Sequence, residues 1–234
     1  MQIYFKLLSC AFLFSFYFFC AIMFDMNIEI VRQKRKTICL KLIDSEQARL
    51  FVPMRVSDGV VNKFIDEKSS WLNKHSQKMK KEEEFSTQFE LLNDVYAFGK
   101  CVGNFSDLIK NYDKLNDKQK ALVVKRYYIS KFDELENMAQ NLSNRFGLTF
   151  DCVKAVSSKR MWGSYSTTRV MKLNWKLLIV PENLVFYVIC HELSHSKHMN
   201  HKKEFWALVE KLCPNYKILK KELNRYSFLL ANGI

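Results

Sequence analysis

The feature that constrains this 234-residue chain most is a cluster of histidines near its C-terminal end. Four of its five histidines lie within the eleven residues from His191 to His201, and the cluster begins with the pattern His-Glu-x-x-His at His191, Glu192 and His195. Residues four apart on an α-helix share one face, so His191 and His195 can direct ring nitrogens at a single metal ion. Glu192 is displaced about 100° around the helix, which puts its carboxylate beside such an ion and not on it.

The residues before this pattern predict a buried helix. Positions 184–190 are apolar nearly all round, and the helix is expected to begin at Glu182 or Asn183, after Pro181. Burying a charged pattern in an apolar helix requires a partner for the charges, and a divalent cation is one such partner. The alternative is a solvent-facing histidine patch without metal, which leaves the apolar run unexplained.

A catalytic zinc ion needs a third protein ligand and one open position. If the helix continued, His201 would lie about 15 Å along its axis from His191, so the chain must turn after His195 for His201 to reach the same ion. The polar residues 196–200 suit such a turn. We therefore predict one Zn²⁺ ion with His201 as its third ligand. His198 is the alternative third ligand, or a residue that caps the helix or contacts substrate.

Composition limits the other chemistry. The seven cysteines are scattered and form no Cys-x-x-Cys pair, which argues against a thiolate zinc cluster or a disulfide framework and favours a reducing compartment. A net charge of +13 is compatible with nucleic acid, anionic lipid or acidic substrates. Lysines that could contact nucleic acid are Lys78, Lys80, Lys81, Lys217, Lys220 and Lys221. Most lysine runs, however, are only solvated faces.

The N-terminal segment, residues 1–25, has three interpretations. Residues 7–24 are apolar except for two serines, which is long enough for a signal-peptide core or a marginal membrane anchor. The basic residues at 32–36 would hold the remainder of an anchored chain in the cytoplasm. We favour the third interpretation, in which translation begins at Met26 and the protein is cytoplasmic.

The hydrophobic pattern predicts an α+β protein in three parts. These are the apolar segment 1–25, a β-rich region with a helix at 26–115 and a C-terminal domain at 116–234. Strands predicted at 28–31, 37–42 and 48–52 are expected to form a small antiparallel sheet. The next predicted elements are a helix from Ser57, a solvated helix end or linker at 77–84, and a hairpin or short helices at 85–114. One long helix is predicted at 117–146, ended by Gly147. Strands follow at 149–156 and 168–173 with a turn at 162–164 between them, and the last sixty residues are predicted to be helical.

Residues 159–223 resemble the YgjP-like metallopeptidase domain, a relative of the SprT and WLM zinc peptidases. The shared pattern contains Trp-Gly-Ser, Leu-Asn, a Pro ahead of Tyr-Val-x-x-His-Glu-Leu-x-His, then Asn-His, Phe-Trp, and a Pro with an aromatic residue two positions later. The likeness is looser at 27–72 and poor at 85–114. It begins at Met26, which supports that residue as the start site.

The resemblance implies a C-terminal zincin-like domain with a short sheet and an active-site helix. It implies that His191, His195 and His201 bind zinc and that Glu192 is the catalytic base. The implied reaction is hydrolysis of peptide or protein substrates by a metal-activated water. The alternatives are a metal-dependent nucleoside triphosphate (UTP) pyrophosphatase, although no Gly-rich phosphate loop is visible, and a protease that associates with nucleic acid.

The remaining expectations concern residues around the ion. The edge formed by 162–164 and the strand to Leu173 can accept an extended peptide as a further strand. Residues considered for stabilising the oxyanion are Tyr165, Arg169 and Tyr216. Phe205 and Trp206 recur at helical spacing with apolar neighbours, which favours a role in the core.

Overall fold

The computed structural model describes residues 26–231, which form two compact units that divide between Glu84 and Phe85. The segment 1–25, with its three interpretations, lies outside the described residues. Within 26–231, no helix is both long and apolar enough to cross a membrane. Mixed helices and small sheets confirm the predicted α+β class.

The first unit is a three-stranded sheet followed by a long helix. Its elements are β1 (Asn27–Gln33), β2 (Cys39–Leu42), β3 (Gln47–Pro53) and α1 (Asp58–Ser86). The charge run predicted as a helix end or linker continues α1 without a break.

The prediction of an antiparallel sheet is wrong for β1. Strand β3 lies in the middle of the sheet, antiparallel to β2 and parallel to β1. Two successive reversals of the chain give β3 the same direction as β1. Strand β3 has the central place because its alternate residues Ala48, Leu50 and Val52 are buried, each at most 1% exposed.

The second unit contains the remaining elements around one core. Its strands are β4 (Asp94–Ala97), β5 (Lys100–Asn104), β6 (Cys152–Val156), β7 (Gly163–Tyr165) and β8 (Val170–Asn174). Its helices are α2 (Phe105–Leu108), α3 (Asp117–Ser130), α4 (Asp133–Phe146), α5 (Glu182–Ser194), α6 (Lys203–Leu212), α7 (Tyr216–Leu223) and α8 (Ser227–Ala231). Leu91, Phe105 and Tyr112 belong to this core, whereas the sequence suggests a domain boundary near residue 115.

The long helix predicted at 117–146 is two helices, so that prediction is wrong in its middle. At Lys131 and Phe132 the backbone hydrogen bonds join residues three apart, not four apart as in an α-helix. The Phe132 N–H, for example, donates to the Ile129 carbonyl at 3.2 Å. Three acidic residues then fill the first turn of α4, where the helix dipole favours negative charge. Gly147 ends α4 in the left-handed conformation at φ 63°, as predicted.

The predicted turn at 162–164 is largely a strand. Strand β7 begins at Gly163 and pairs antiparallel with β8, which in turn is parallel to β6. The order of the sheet is β6-β8-β7, so β7 is an edge strand. Its three residues are too few for the alternating pattern by which strands are recognised in a sequence.

Helix α5 runs through the core of the second unit. It begins at Glu182 directly after Pro181, as predicted. Leu184, Val185, Ile189 and Leu193 are all 0% exposed. The helix that carries the His-Glu-x-x-His pattern is therefore held by packing on several sides.

The β4–β5 hairpin is attached to the start of this helix through Gly99. Gly99 has φ +84°, and its N–H donates to the Ile179 carbonyl at 3.0 Å. A Cβ atom added at Gly99 would lie 2.7 Å from Cγ of Pro181. Only glycine therefore fits at this position.

We expect Gly99→Ala to lower the free energy of unfolding by about 2–4 kcal/mol, because it adds left-handed strain to a steric clash. Gly147→Ala is the matched control, since Gly147 has φ +63° but nothing within 4 Å of an added Cβ atom. Its expected loss is about 1–2 kcal/mol. Urea unfolding of both variants measures the difference, and equal losses would contradict the contact with Pro181.

Candidate metal centre

The end of α5 and the turn after it bring together three of the four clustered histidines. His191 lies in the last turn of α5, and His195 caps that helix. The chain then turns before α6 begins, as the sequence predicts. One ring nitrogen from each of His191, His195 and His201 lies within 4.8 Å of the other two. The three rings are therefore close enough to bind one metal ion, as the spacing of the histidines predicts.

The separations and protonation states suit one small cation. The Nε2 atoms of His191 and His201 are 3.1 Å apart, and two nitrogens bonded to one tetrahedral zinc ion lie about 3.3–3.4 Å apart. Burial lowers the pKa of His191 to about 3 and also lowers the pKa of His195. Both rings are therefore neutral near pH 7, which is the form that binds a metal.

A backbone carbonyl group orients His195. Its Nδ1 lies 3.0 Å from the carbonyl oxygen of His198. An Nδ1–H that donates to this oxygen leaves Nε2 as the lone-pair nitrogen, the usual arrangement in metal-binding histidines. The ring of His198 is not among the three that converge. The geometry therefore favours a backbone role for His198 over a role as ligand.

A phenylalanine of helix α6 packs against all three histidine rings. The Phe205 side chain is 0% exposed, and its ring centroid lies 4.9, 4.5 and 4.6 Å from those of His191, His195 and His201. Trp206 is only partly buried and stacks on Tyr216 with a centroid distance of 5.4 Å. The predicted core role is thus confirmed for Phe205, which also fixes the ring positions.

Glu192 lies beside the histidines in a nearly dry position. The residue is 5% exposed, and burial raises the pKa of its carboxyl group to about 8. Its side chain rests on the backbone of β7, because a Cβ atom added at Gly163 would lie 2.8 Å from both Cγ and Oε1 of Glu192. Gly163 therefore leaves the space that the carboxylate group occupies.

The motifs of the sequence do not predict this role of Gly163. The sequence feature that could have drawn attention to Gly163 is its isolation, since it is the only glycine between Gly147 and Gly233. A glycine in a strand often marks the close approach of another group. The sequence alone does not say which group approaches it.

Two clefts border the cluster of histidines. The first has a volume of about 240 Å³ and is lined by Met161, Trp162, Gly163, Tyr187, Val188, His191, Glu192 and Leu223. The second has a volume of about 300 Å³ and is lined by Thr149, Tyr165, Ser166, Thr167, Arg169, His195, Ser196, Lys197 and Met199. The first contains the acidic residue of the motif, whereas the second contains two cationic side chains.

The three residues considered for the oxyanion differ in their surroundings. The Tyr165 hydroxyl donates to the Thr149 carbonyl at 2.7 Å, and Arg169 pairs with Asp151 at 3.1 Å. Tyr216 is 8% exposed. Arg169 alone of the three combines a positive charge with a place in a cleft that also contains a metal-site histidine. The assignment of an oxyanion residue stays a prediction.

Comparison with known proteins gave a family match and structural matches. The family model described as "YgjP-like, metallopeptidase domain" matches residues 36–226. The metallopeptidase zymogen of Pyrococcus abyssi abylysin is 24% identical with a TM-score of 0.36, over 38% of this chain and 90% of that chain. The metallopeptidase zymogen of Methanocaldococcus jannaschii jannalysin is 22% identical with a TM-score of 0.31, over 38% of this chain and 96% of that chain. No curated protein matches the chain significantly.

We expect Gly163→Ala to lower the rate of peptide hydrolysis about 100-fold while metal content stays unchanged. The added methyl group must displace the carboxylate of Glu192, which the sequence predicts as the catalytic base. A displacement of about 1 Å in such a group has an effect of this size. Gly59→Ala, which has nothing within 4 Å of the added Cβ atom, is the control. A Gly163→Ala protein with full activity would show that Glu192 does not act from this position.

Proposed function

Because the chain belongs to the YgjP-like metallopeptidase family, we propose that it hydrolyses peptide bonds at one zinc ion held by His191, His195 and His201. The observation that carries the proposal is the convergence of these three side chains, whose ring nitrogens lie within 4.8 Å of one another. Three protein ligands with one open position are typical of catalytic zinc. Three imidazole nitrogens also suit zinc as the ion.

Glu192 is proposed as the general base and acid of the reaction. A zinc ion at this site would polarise the scissile carbonyl group and lower the pKa of a water molecule. Glu192 then accepts the proton of that water and transfers it to the leaving amine. Its burial supports this role, since it raises the pKa of the carboxyl group to about 8. A pKa close to neutral pH suits a group that must both accept and release a proton.

The edge of the β6-β8-β7 sheet is proposed to align the substrate. Strand β7 pairs with β8 on one side and is the last strand of the sheet. An extended peptide can add to such an edge through main-chain hydrogen bonds. Because Gly163 of β7 touches Glu192, a peptide on this edge would pass next to the carboxylate group.

The alternative functions have less support. The six lysines considered for nucleic acid are divided between the two units, and several have partners within the chain, including Lys80 with Glu46 and Lys217 with Glu210. For UTP hydrolysis the cationic residues of the second cleft, Arg169 and Lys197, are the available phosphate partners. The description of the matching family as a metallopeptidase favours peptide over both.

A cytoplasmic site of action is part of the proposal. Five cysteines of the described residues, Cys39, Cys101, Cys152, Cys190 and Cys213, are free thiols. Free thiols persist in reducing compartments.

We expect Glu192→Gln to lower the hydrolysis of casein by the zinc-loaded full chain about 100- to 10,000-fold, because the amide cannot transfer a proton. Zinc content should stay at the level of the unsubstituted chain, since Glu192 is not a ligand. Glu182→Gln makes the same change at an exposed position of α5 and should leave the activity unchanged.

UTP is assayed beside casein with all three proteins. Casein hydrolysis that disappears in Glu192→Gln, with no turnover of UTP, supports the peptidase. Hydrolysis of UTP without hydrolysis of casein, or full casein activity in Glu192→Gln, would contradict it.

A further inference from the structure

The cleft that contains Glu192 has apolar walls, and we propose that it binds an apolar side chain of the substrate residue that supplies the leaving amine. This inference rests on the proposed peptidase function. The walls beside the motif residues are formed by Met161, Trp162, Gly163, Tyr187, Val188 and Leu223. The cleft is therefore a specificity site next to the reacting groups.

The position of Glu192 determines which side of the scissile bond this cleft serves. A general acid that protonates the leaving amine must come within about 2.6–3.2 Å of its nitrogen. The residue that carries this nitrogen consequently lies next to Glu192, and its side chain faces the cleft that Glu192 lines. The second cleft includes His195 and not Glu192, so it serves the acyl side of the bond.

The walls of the cleft are largely apolar, and three of the residues that form them are buried. Tyr187, Val188 and Leu223 are only 5%, 4% and 6% exposed, whereas Met161 is 50% exposed. Of the described residues that line this cleft, none is a lysine or arginine, and Glu192 is its one acid. A charged substrate side chain would lose its hydration there without a dedicated partner, which is unfavourable, whereas an apolar side chain gains by burial.

The second cleft is more polar than the cleft at Glu192. Its lining includes the cations Arg169 and Lys197 and the hydroxyl groups of Ser166 and Thr167.

The size of the cleft at Glu192 also favours a single side chain as its occupant. This cleft has a volume of about 240 Å³. Pockets that enclose a whole small molecule measure about 300–1,000 Å³. The cleft at Glu192 thus suits one side chain better than a nucleotide.

The test compares peptides that differ only in the residue after the scissile bond, which is Leu, Phe, Ser, Asp or Lys. With the zinc-loaded full chain, we expect kcat/KM to be about 10- to 100-fold higher for Leu and Phe than for the polar residues. Mass spectrometry of the products identifies the bond that is cut.

Two methionines provide matched variants on the two sides of the site. Met161 is 50% and Met199 is 48% exposed, and they line the first and second cleft respectively. We expect Met161→Glu to reduce the preference for Leu over Lys about 10-fold, because it adds a negative charge to the cleft. Met161→Lys should raise the relative rate with Asp. Met199→Glu should leave the preference at this position within about 2-fold.

Calorimetry with the Glu192→Gln full chain separates binding from catalysis. The Leu peptide is expected to bind about 10-fold more tightly than the Ser peptide. Hydrolysis without an apolar preference, or equal effects of Met161→Glu and Met199→Glu, overturns this inference and leaves the proposed function intact. If no peptide is hydrolysed, the proposed function fails, and equal binding of the two peptides then overturns the inference as well.

Discussion

The structure depends on the burial of a polar motif at the end of an apolar helix. The packing that holds α5 in the core also removes Glu192 and His195 from water, so that they are 5% and 8% exposed. In such surroundings imidazoles stay neutral and a lone carboxylate is unfavourable. Residues that follow α5 in the chain complete the cluster around them. The turn after His195 returns His201 to within 3.1 Å of His191, and α6 places Phe205 against all three rings.

The rest of the second unit surrounds this helix end in a way that distinguishes its two sides. Gly163 at the start of β7 brings backbone to Glu192, while the carbonyl group of His198 holds His195. The apolar cleft therefore lies on the side of the carboxylate group and the cationic cleft on the side of His195. If a peptide is hydrolysed here, as proposed, the two sides of its scissile bond meet different side chains.

Features that depend on local patterns could be predicted from the sequence, and features that depend on distant contacts could not. The apolar run after Pro181 predicts α5, and Gly147 predicts the end of α4, because both signals lie within a few residues of the element. The place of β3 between β1 and β2, and its parallel pairing with β1, are contacts between separate segments, which no single strand encodes. The contact between Gly163 and Glu192 joins residues 29 positions apart in the sequence, so spacing alone does not reveal it.

Metal analysis of the full chain tests most directly whether His191, His195 and His201 hold one zinc ion. The chain purified from zinc-replete medium should contain about one zinc ion per molecule. His201→Ala should lose most of it. His198→Ala should retain it, because the ring of His198 lies outside the cluster and its backbone carbonyl group, which orients His195, is unchanged. A metal-free chain, or zinc that survives in His201→Ala and disappears in His198→Ala, would contradict the account.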